Sequence, residues 1–176
     1  MMWALTKKII SIGKVTEPLQ ENQTSVEIIG QQLEQHIAKK LARALAIRMV
    51  DAGSCNACEL EIKAIYNPYY NIERFGVRFV ASPRHADLLL VTGPVTRNME
   101  AALKYTYAAL PEPKCVVAVG DCAQCGGVFQ GSYAIIGAVS AVIPVNVVVM
   151  GCPPTPSQIM QGILSALLPN THSLFQ

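Results

Sequence analysis

The chain has 176 residues, 51% of them hydrophobic and 15% charged, with a formal net charge of +2. That fits one domain, or one domain with an extension, and excludes a disordered tail, an acidic low-complexity protein and a nucleic-acid binder working through bulk positive charge. The mean hydropathy of +0.32 is unevenly spread: the 55 residues from Cys122 to Gln176 hold no Asp, Glu, Lys or Arg, so this third is expected to enter a membrane or be covered by other proteins.

Residues 1–23 lack clear periodicity and carry Pro18 among Gln, Asn and Thr, which predicts an irregular arm. Met1 to Leu5 is too short for a signal-peptide core before Lys7 and Lys8, and no twin-Arg pair is present, so a cytosolic chain is expected. Thr24 and Glu27 have capping-box spacing at a helix start. Ile29, Leu33, Ile37, Leu41 and Leu45 then recur every fourth residue as one apolar stripe, and Lys39, Lys40, Arg43 and Arg48 make the helix end basic. Such a helix can lie on an anionic membrane surface. Packing on the body of the protein or on a partner is the plainer expectation.

From residue 46 short apolar runs alternate with helix-like stretches. Strands are expected at Ala46–Asp51, Gly76–Ala81, Asp87–Thr92, Cys115–Val119 and Asn146–Met150. Helices are expected near Glu59–Tyr66, Thr96–Leu110, Ser132–Val142 and Ser157–Leu168. The longest apolar stretch, Ala134 to Met150, is interrupted by Pro144 and Asn146 and is too short to span a bilayer, which takes about 20 residues. The alternation predicts an α/β chain: a flavodoxin-like open parallel sheet with helices on both faces (46–176), preceded by the arm and amphipathic helix (1–45).

Six cysteines in a cytosolic chain point to metal or redox chemistry before disulfides. Cys55 and Cys58 follow the first expected strand, Cys122 and Cys125 the fourth, and Cys152 the fifth. In open α/β sheets, ligands bind beyond the carboxyl ends of the strands, so three distant segments would converge on one pocket. Two C-x-x-C pairs also suit tetrahedral zinc, but zinc ribbons space their pairs about 15–20 residues apart, and Cys58 and Cys122 are much further separated. A thioredoxin-like dithiol would leave Cys152 unexplained. Cys115, inside an expected strand, reads as a small buried hydrophobe.

Ser54-Cys-Asn-Ala-Cys-Glu-Leu-Glu-Ile62, Ile72-Glu-Arg-Phe-Gly76, Ala81-Ser-Pro-Arg-His-Ala-Asp87, Val91-Thr-Gly-Pro-Val-Thr96, Gly120-Asp-Cys-Ala and Gly151-Cys-Pro-Pro-Thr-Pro156 stand in one order. Over residues 46 to 168 the chain thereby resembles the small, cluster-bearing subunit of membrane-bound nickel–iron hydrogenases, of formate hydrogenlyase and energy-converting type. It is also similar to the homologous subunit of respiratory complex I. The resemblance implies one 4Fe–4S cluster on Cys55, Cys58, Cys122 and Cys152, with Cys125 a spare thiol or a substitute ligand. It implies a large subunit carrying the nickel–iron site, a ferredoxin-like iron–sulfur subunit and antiporter-like membrane subunits as partners, on the cytoplasmic face of the membrane, and no nucleic acid. Complex I subunits usually have adjacent cysteines in the first motif, whereas Asn56 and Ala57 separate them here, as in hydrogenases.

Glu59 is a candidate for passing protons at the subunit boundary, or a helix-start carboxylate. Arg84 could turn its guanidinium on an anionic cluster, or serve as a plain ion-pair partner. His85 reads as a packed or capping residue, and His36 and His172 as surface residues. Two rivals stand beside the hydrogenase reading: a complex I-like quinone or sulfane oxidoreductase, and a zinc-stabilised binding module.

Overall fold

The computed structural model describes residues 2–12 and 23–168. Residues 2–12 form a helix, α1 (Met2–Ile12), where an irregular arm was expected; the rest of that arm and His172 lie outside the described residues. Helix α2 spans Gln23–Leu41. It begins one residue ahead of Thr24, which therefore sits in the first turn and not at the cap. Glu27 pairs with Arg74 in the turn Ile72–Phe75. Val26, Leu33 and Ile37 are buried, and Gly30 lies under the Phe75 ring. The helix packs against the last helix of the chain, within one apolar core. The expected stripe loses its last member: Ala42 turns the chain at φ 52°, and Leu45 opens the first strand.

That strand, β1 (Leu45–Asp51), leads through α3 (Ala57–Ala64) and the 72–75 turn to β2 (Val77–Phe79). Next come β3 (Leu88–Thr92), the two-residue β4 (Val95–Thr96) and α4 (Arg97–Ala109). The chain continues as β5 (Val116–Val119), α5 (Asp121–Cys125), β6 (Ile135–Gly137), β7 (Val147–Val149) and α6 (Pro156–Leu167). Five strands make a parallel sheet in the order β2-β1-β3-β5-β7. The register runs from Ile47 opposite Leu88 to Asp51 opposite Thr92, then Leu89 opposite Val116, and Val117 opposite Val147.

Alternate residues of each strand enter two cores. Leu45, Ile47, Leu88, Leu90, Val117 and Val119 face α2, α3 and α6, packing on Leu33, Ile62, Ile159 and Ile163. Val50, Leu89, Val91, Val116 and Ala118 face the other way, onto Leu103 of α4 and onto Val139 and Ile143. Burial on both faces is why β3, β5 and β7 carry no charged residue, while β1 holds Arg48 and β2 holds Arg78. The α/β, flavodoxin-like expectation holds.

Ser132–Val142 is not a helix. Ile135–Gly137 pairs antiparallel with β4, and a single 3-10 turn, Val139–Ala141, follows. Gly131 and Gly137 take φ of 82° and 135°, which no helix accommodates, and the segment offers no charged face to water. Cys115 stops one residue short of β5, half-buried, with its thiol against the Ala166 carbonyl. Among the described residues no helix is long and apolar enough to cross a membrane.

Candidate metal centre

Three loops leave the carboxyl ends of β1, β5 and β7 on one edge of the sheet. The first is shaped by Asp51, whose Oδ1 accepts from the amides of Gly53 and Ser54, both at 2.7 Å. Gly93 permits the turn to close, since a Cβ there would stand 2.5 Å from the Ser54 nitrogen. Ser54 Oγ accepts from the Asn56 amide, and Asn56, at φ 72°, launches α3. Cys55 is left exposed ahead of the helix, while Cys58 and Glu59 are buried in its first turn.

The second and third loops are tied together. The Asp121 amide donates to the Gly151 carbonyl at 3.0 Å, and the Gly151 amide donates back to Asp121 Oδ1 at 2.7 Å. Gly120, at φ 92°, donates to the Val149 carbonyl and brings Cys122 into the site at the start of α5. Cys152 follows Gly151 and is exposed. Thr155 and Gln158 then form a capping box that starts α6.

Cys58 feels the thiols of Cys55, Cys122 and Cys152, and Cys122 feels those of Cys55 and Cys152. Burial first of all pushes the Cys58 thiol up to about 12, with Glu59, Cys55, Cys122 and Cys152 adding to it. Cys122 is also raised, chiefly by burial, then by Cys152, with smaller contributions from Cys55 and Asp121 against a hydrogen bond from the Val128 backbone. Two glycines make room for these sulfurs. A Cβ on Gly120 would stand 2.8 Å from Cys58 Sγ, and one on Gly127 would stand 2.7 Å from Cys122 Sγ.

Glu59 adds a carboxyl group beside Cys58. Its Oε2 accepts from Ser54 Oγ at 2.6 Å, while its Oε1 is buried without a hydrogen-bond partner. Ionising these groups together demands a cationic centre. Among the described residues, no three His, Cys, Asp or Glu side chains gather around one point as a single metal ion requires. Tetrahedral zinc would draw four sulfurs to about 2.3 Å from one ion. A multi-iron cluster takes thiolates on separate irons, so its ligands stand apart. Cysteine thiols brought from three separate loops are the kind of donors such a cluster takes.

Of the remaining sequence candidates, Arg84, His85 and His36 lie outside the three cysteine loops. Arg84 is exposed in the turn Pro83–His85, ahead of β3, which begins opposite Ile47 and not at the cysteine-bearing strand ends. The groups acting on Cys58 and Cys122 are thiols, carboxylates and a backbone amide, and Arg84 is not one of them. His85 is exposed and His36 half-buried on α2. Cys125 is exposed at the end of α5, its thiol 3.3 Å from the Asp121 carbonyl. Ser54 and Asp121 were not singled out from the sequence. The Asp-x-Gly-Ser spacing, a side-chain-capped turn signature, was the signal for the first.

Residues 55–166 match the family model described as NADH ubiquinone oxidoreductase, 20 Kd subunit. The chain is 42% identical over 131 residues to formate hydrogenlyase subunit 7 of Escherichia coli (strain K12), covering 74% of this chain and 51% of that one. It thus spans about half the length of that relative. It is 46% identical over 138 residues to the probable membrane-bound hydrogenase subunit mbhJ of Pyrococcus furiosus, covering 77% of this chain and 83% of the relative. A chain of the membrane-bound sulfane sulfur reductase, an archaeal respiratory membrane complex, superposes with a TM-score of 0.64 at 34% identity, covering 77% of this chain and 73% of that one.

Proposed function

The chain belongs to the family of the NADH ubiquinone oxidoreductase 20 kDa subunit, and we propose that it is the electron-transfer subunit of a membrane-bound nickel–iron hydrogenase. In this reading Cys55, Cys58, Cys122 and Cys152 hold one 4Fe–4S cluster, which supplies one-electron transfer when bound. The convergence of four thiols from three loops at one edge of the sheet carries the reading. The two hydrogenase relatives and the separated C-x-x-C pair support it.

The chain's own residues do three things. Cys58 and Cys122, both 8% exposed, keep water from one side of the site, which strengthens electrostatic interactions there. The bare backbone at Gly120 and Gly127 lets these sulfurs sit close to the chain, where amides can donate to them. Glu59 is held by Ser54 through one oxygen, leaving Oε1 free to hold or hand on a proton.

The nickel–iron site belongs to a large partner subunit in this proposal. A ferredoxin-like subunit exchanges electrons on the other side, and antiporter-like subunits anchor the complex at the cytoplasmic face of the membrane. Exposed Val128, Tyr133 and Met150, near the cysteine loops, supply an apolar surface for such partners. The likeness to the sulfane sulfur reductase favours a second reading, a sulfane-reducing complex of the same superfamily.

Anaerobic purification of the assembled complex tests both. One reducible cubane signal assigned to this chain, with hydrogen evolution from reduced carrier, is the expected result. Zinc in place of iron overturns the cluster. A co-purifying large subunit without nickel overturns the hydrogenase.

A further inference from the structure

The C-x-x-C pair on α5 contains one thiol that the ligand set does not use. Cys122 is buried and Cys125 exposed, one helical turn apart on a helix of five residues. Residues at this spacing lie on one side of a helix, with their Cβ atoms about 5–6 Å apart. A disulfide needs about 3.5–4.5 Å, so closure takes a small local unwinding.

The chain is built to allow that unwinding. Cys125 is the last residue of α5, and Gly126 and Gly127 follow at φ 90° and 52°. Its thiol leans back along the helix, toward the Asp121 carbonyl and the turn that carries Cys122. Cys122 is fixed by the hydrogen bonds between Asp121 and Gly151. The mobile partner is therefore the exposed one, which is also the one a small oxidant reaches first. Cys55 and Cys58 share the spacing, but Cys55 lies outside α3, ahead of Asn56 at φ 72°, so the two do not lie on one helix, and Cys58 is held by a helix anchored in the core through Ile62.

We propose that Cys122 and Cys125 form a peroxide-sensitive disulfide switch that removes Cys122 from the ligand set when the site is empty of iron. The inference rests on reading Cys122 as a ligand. The oxidant is a hydroperoxide. The Cys125 sulfur attacks one peroxide oxygen, the O–O bond breaks, and a sulfenic acid and one water form. The Cys122 sulfur then attacks the Cys125 sulfur, expelling the hydroxyl as a second water. Overall two thiols and one hydrogen peroxide give one disulfide and two waters. A dithiol reductant returns the electron pair and both protons, and so reopens the site.

The full chain, kept soluble by Val128→Lys and Tyr133→Lys at two exposed apolar positions and stripped of iron by chelation under reductant, is treated with one equivalent of hydrogen peroxide and blocked with N-ethylmaleimide. Chymotryptic mapping follows, because cleavage at Phe129 separates this pair from Cys152. The expected product is a peptide two hydrogens lighter that joins Cys122 to Cys125 and takes no label at either, while Cys55 and Cys58 are labelled. Iron uptake by this oxidised chain, read by visible absorbance, is lost and returns with dithiothreitol. Cys125→Ser and Cys125→Ala should leave Cys122 labelled and iron uptake insensitive to the same treatment. A bridge mapped between Cys55 and Cys58, between Cys122 and Cys152, or not at all overturns the switch. If the bridge forms but Cys122→Ser still takes up a full complement of iron, the assignment of Cys122 as a ligand fails and the disulfide itself stands.

Discussion

Cys115 lies at the opposite end of the sheet from the other five cysteines, beside Lys40 and the end of α6, and this makes it the internal control for the ligand assignment. Serine at Cys55, Cys58, Cys122 or Cys152 should abolish iron content and the reduced-state paramagnetic signal, whereas Cys115→Ala should retain both. Cys115 also carries a pH prediction. Burial pushes its thiol from 9.0 to about 11, against a smaller pull from Lys40. The folded chain then keeps a proton that the unfolded chain loses, so its contribution is intact below pH 9 and disappears as pH rises from 9 to about 11. Cys58 and Cys122 titrate across the same range, so the Cys115 share is read as the difference between wild type and Cys115→Ala in denaturant unfolding on either side of that window, a loss of ~3 kcal/mol at most. Arg84 is a contrasting case. From its exposed position ahead of β3, Arg84→Met is expected to leave the centre's potential unchanged in a redox titration. A fall of tens of millivolts would put the guanidinium back beside the thiols.

At the level of elements, glycines decide where the sulfurs and helices can sit. Gly120→Ala places a methyl 2.8 Å from Cys58 Sγ at a φ of 92°. Backbone strain of this kind costs about 1–3 kcal/mol, and the displaced sulfur should lower iron per chain before it lowers thermal stability. Gly30→Ala, on α2, drives a methyl into the Phe75 ring. Overpacking costs about 1–3 kcal/mol, so the midpoint of unfolding should fall while iron content is retained. Together the two variants separate the cradle of the site from the packing of the helix that precedes it. The β4–β6 ribbon shows what local pattern misses. Ala134 to Gly137 is apolar enough for either helix or strand, and the partner that decides it, Val95–Thr96, lies some forty residues earlier.

For the whole molecule, the relevant quantity is the apolar surface left in water. Val128, Tyr133 and Met150 are 82%, 90% and 62% exposed in a stretch without a single charged residue. Patches of this kind mark contact surfaces or aggregation liabilities. Expressed without its partner subunits, the chain should aggregate or be proteolysed. Co-expression, or Val128→Lys with Tyr133→Lys, should restore a soluble species on sizing. A monodisperse wild-type monomer would argue that this face meets water in the cell.

Much of this architecture is determined by the sequence alone, because it depends on local composition. Strands buried on both faces are mostly apolar, so β1, β3, β5 and β7 are legible to within a residue or two, β1 in spite of Arg48, and the cysteine loops are legible as glycine-rich exits from them. Matched motifs in a fixed order identify the family, since they are contiguous in sequence. The tertiary structure decided what depends on distance across the chain. It set the switch of Ile135–Gly137 from helix to strand, the pairing of Glu27 with Arg74, and the tie between Asp121 and Gly151. Whether a charged side chain such as Arg84 or Glu59 stands beside four thiols follows from sheet register and burial. A local window of residues contains neither.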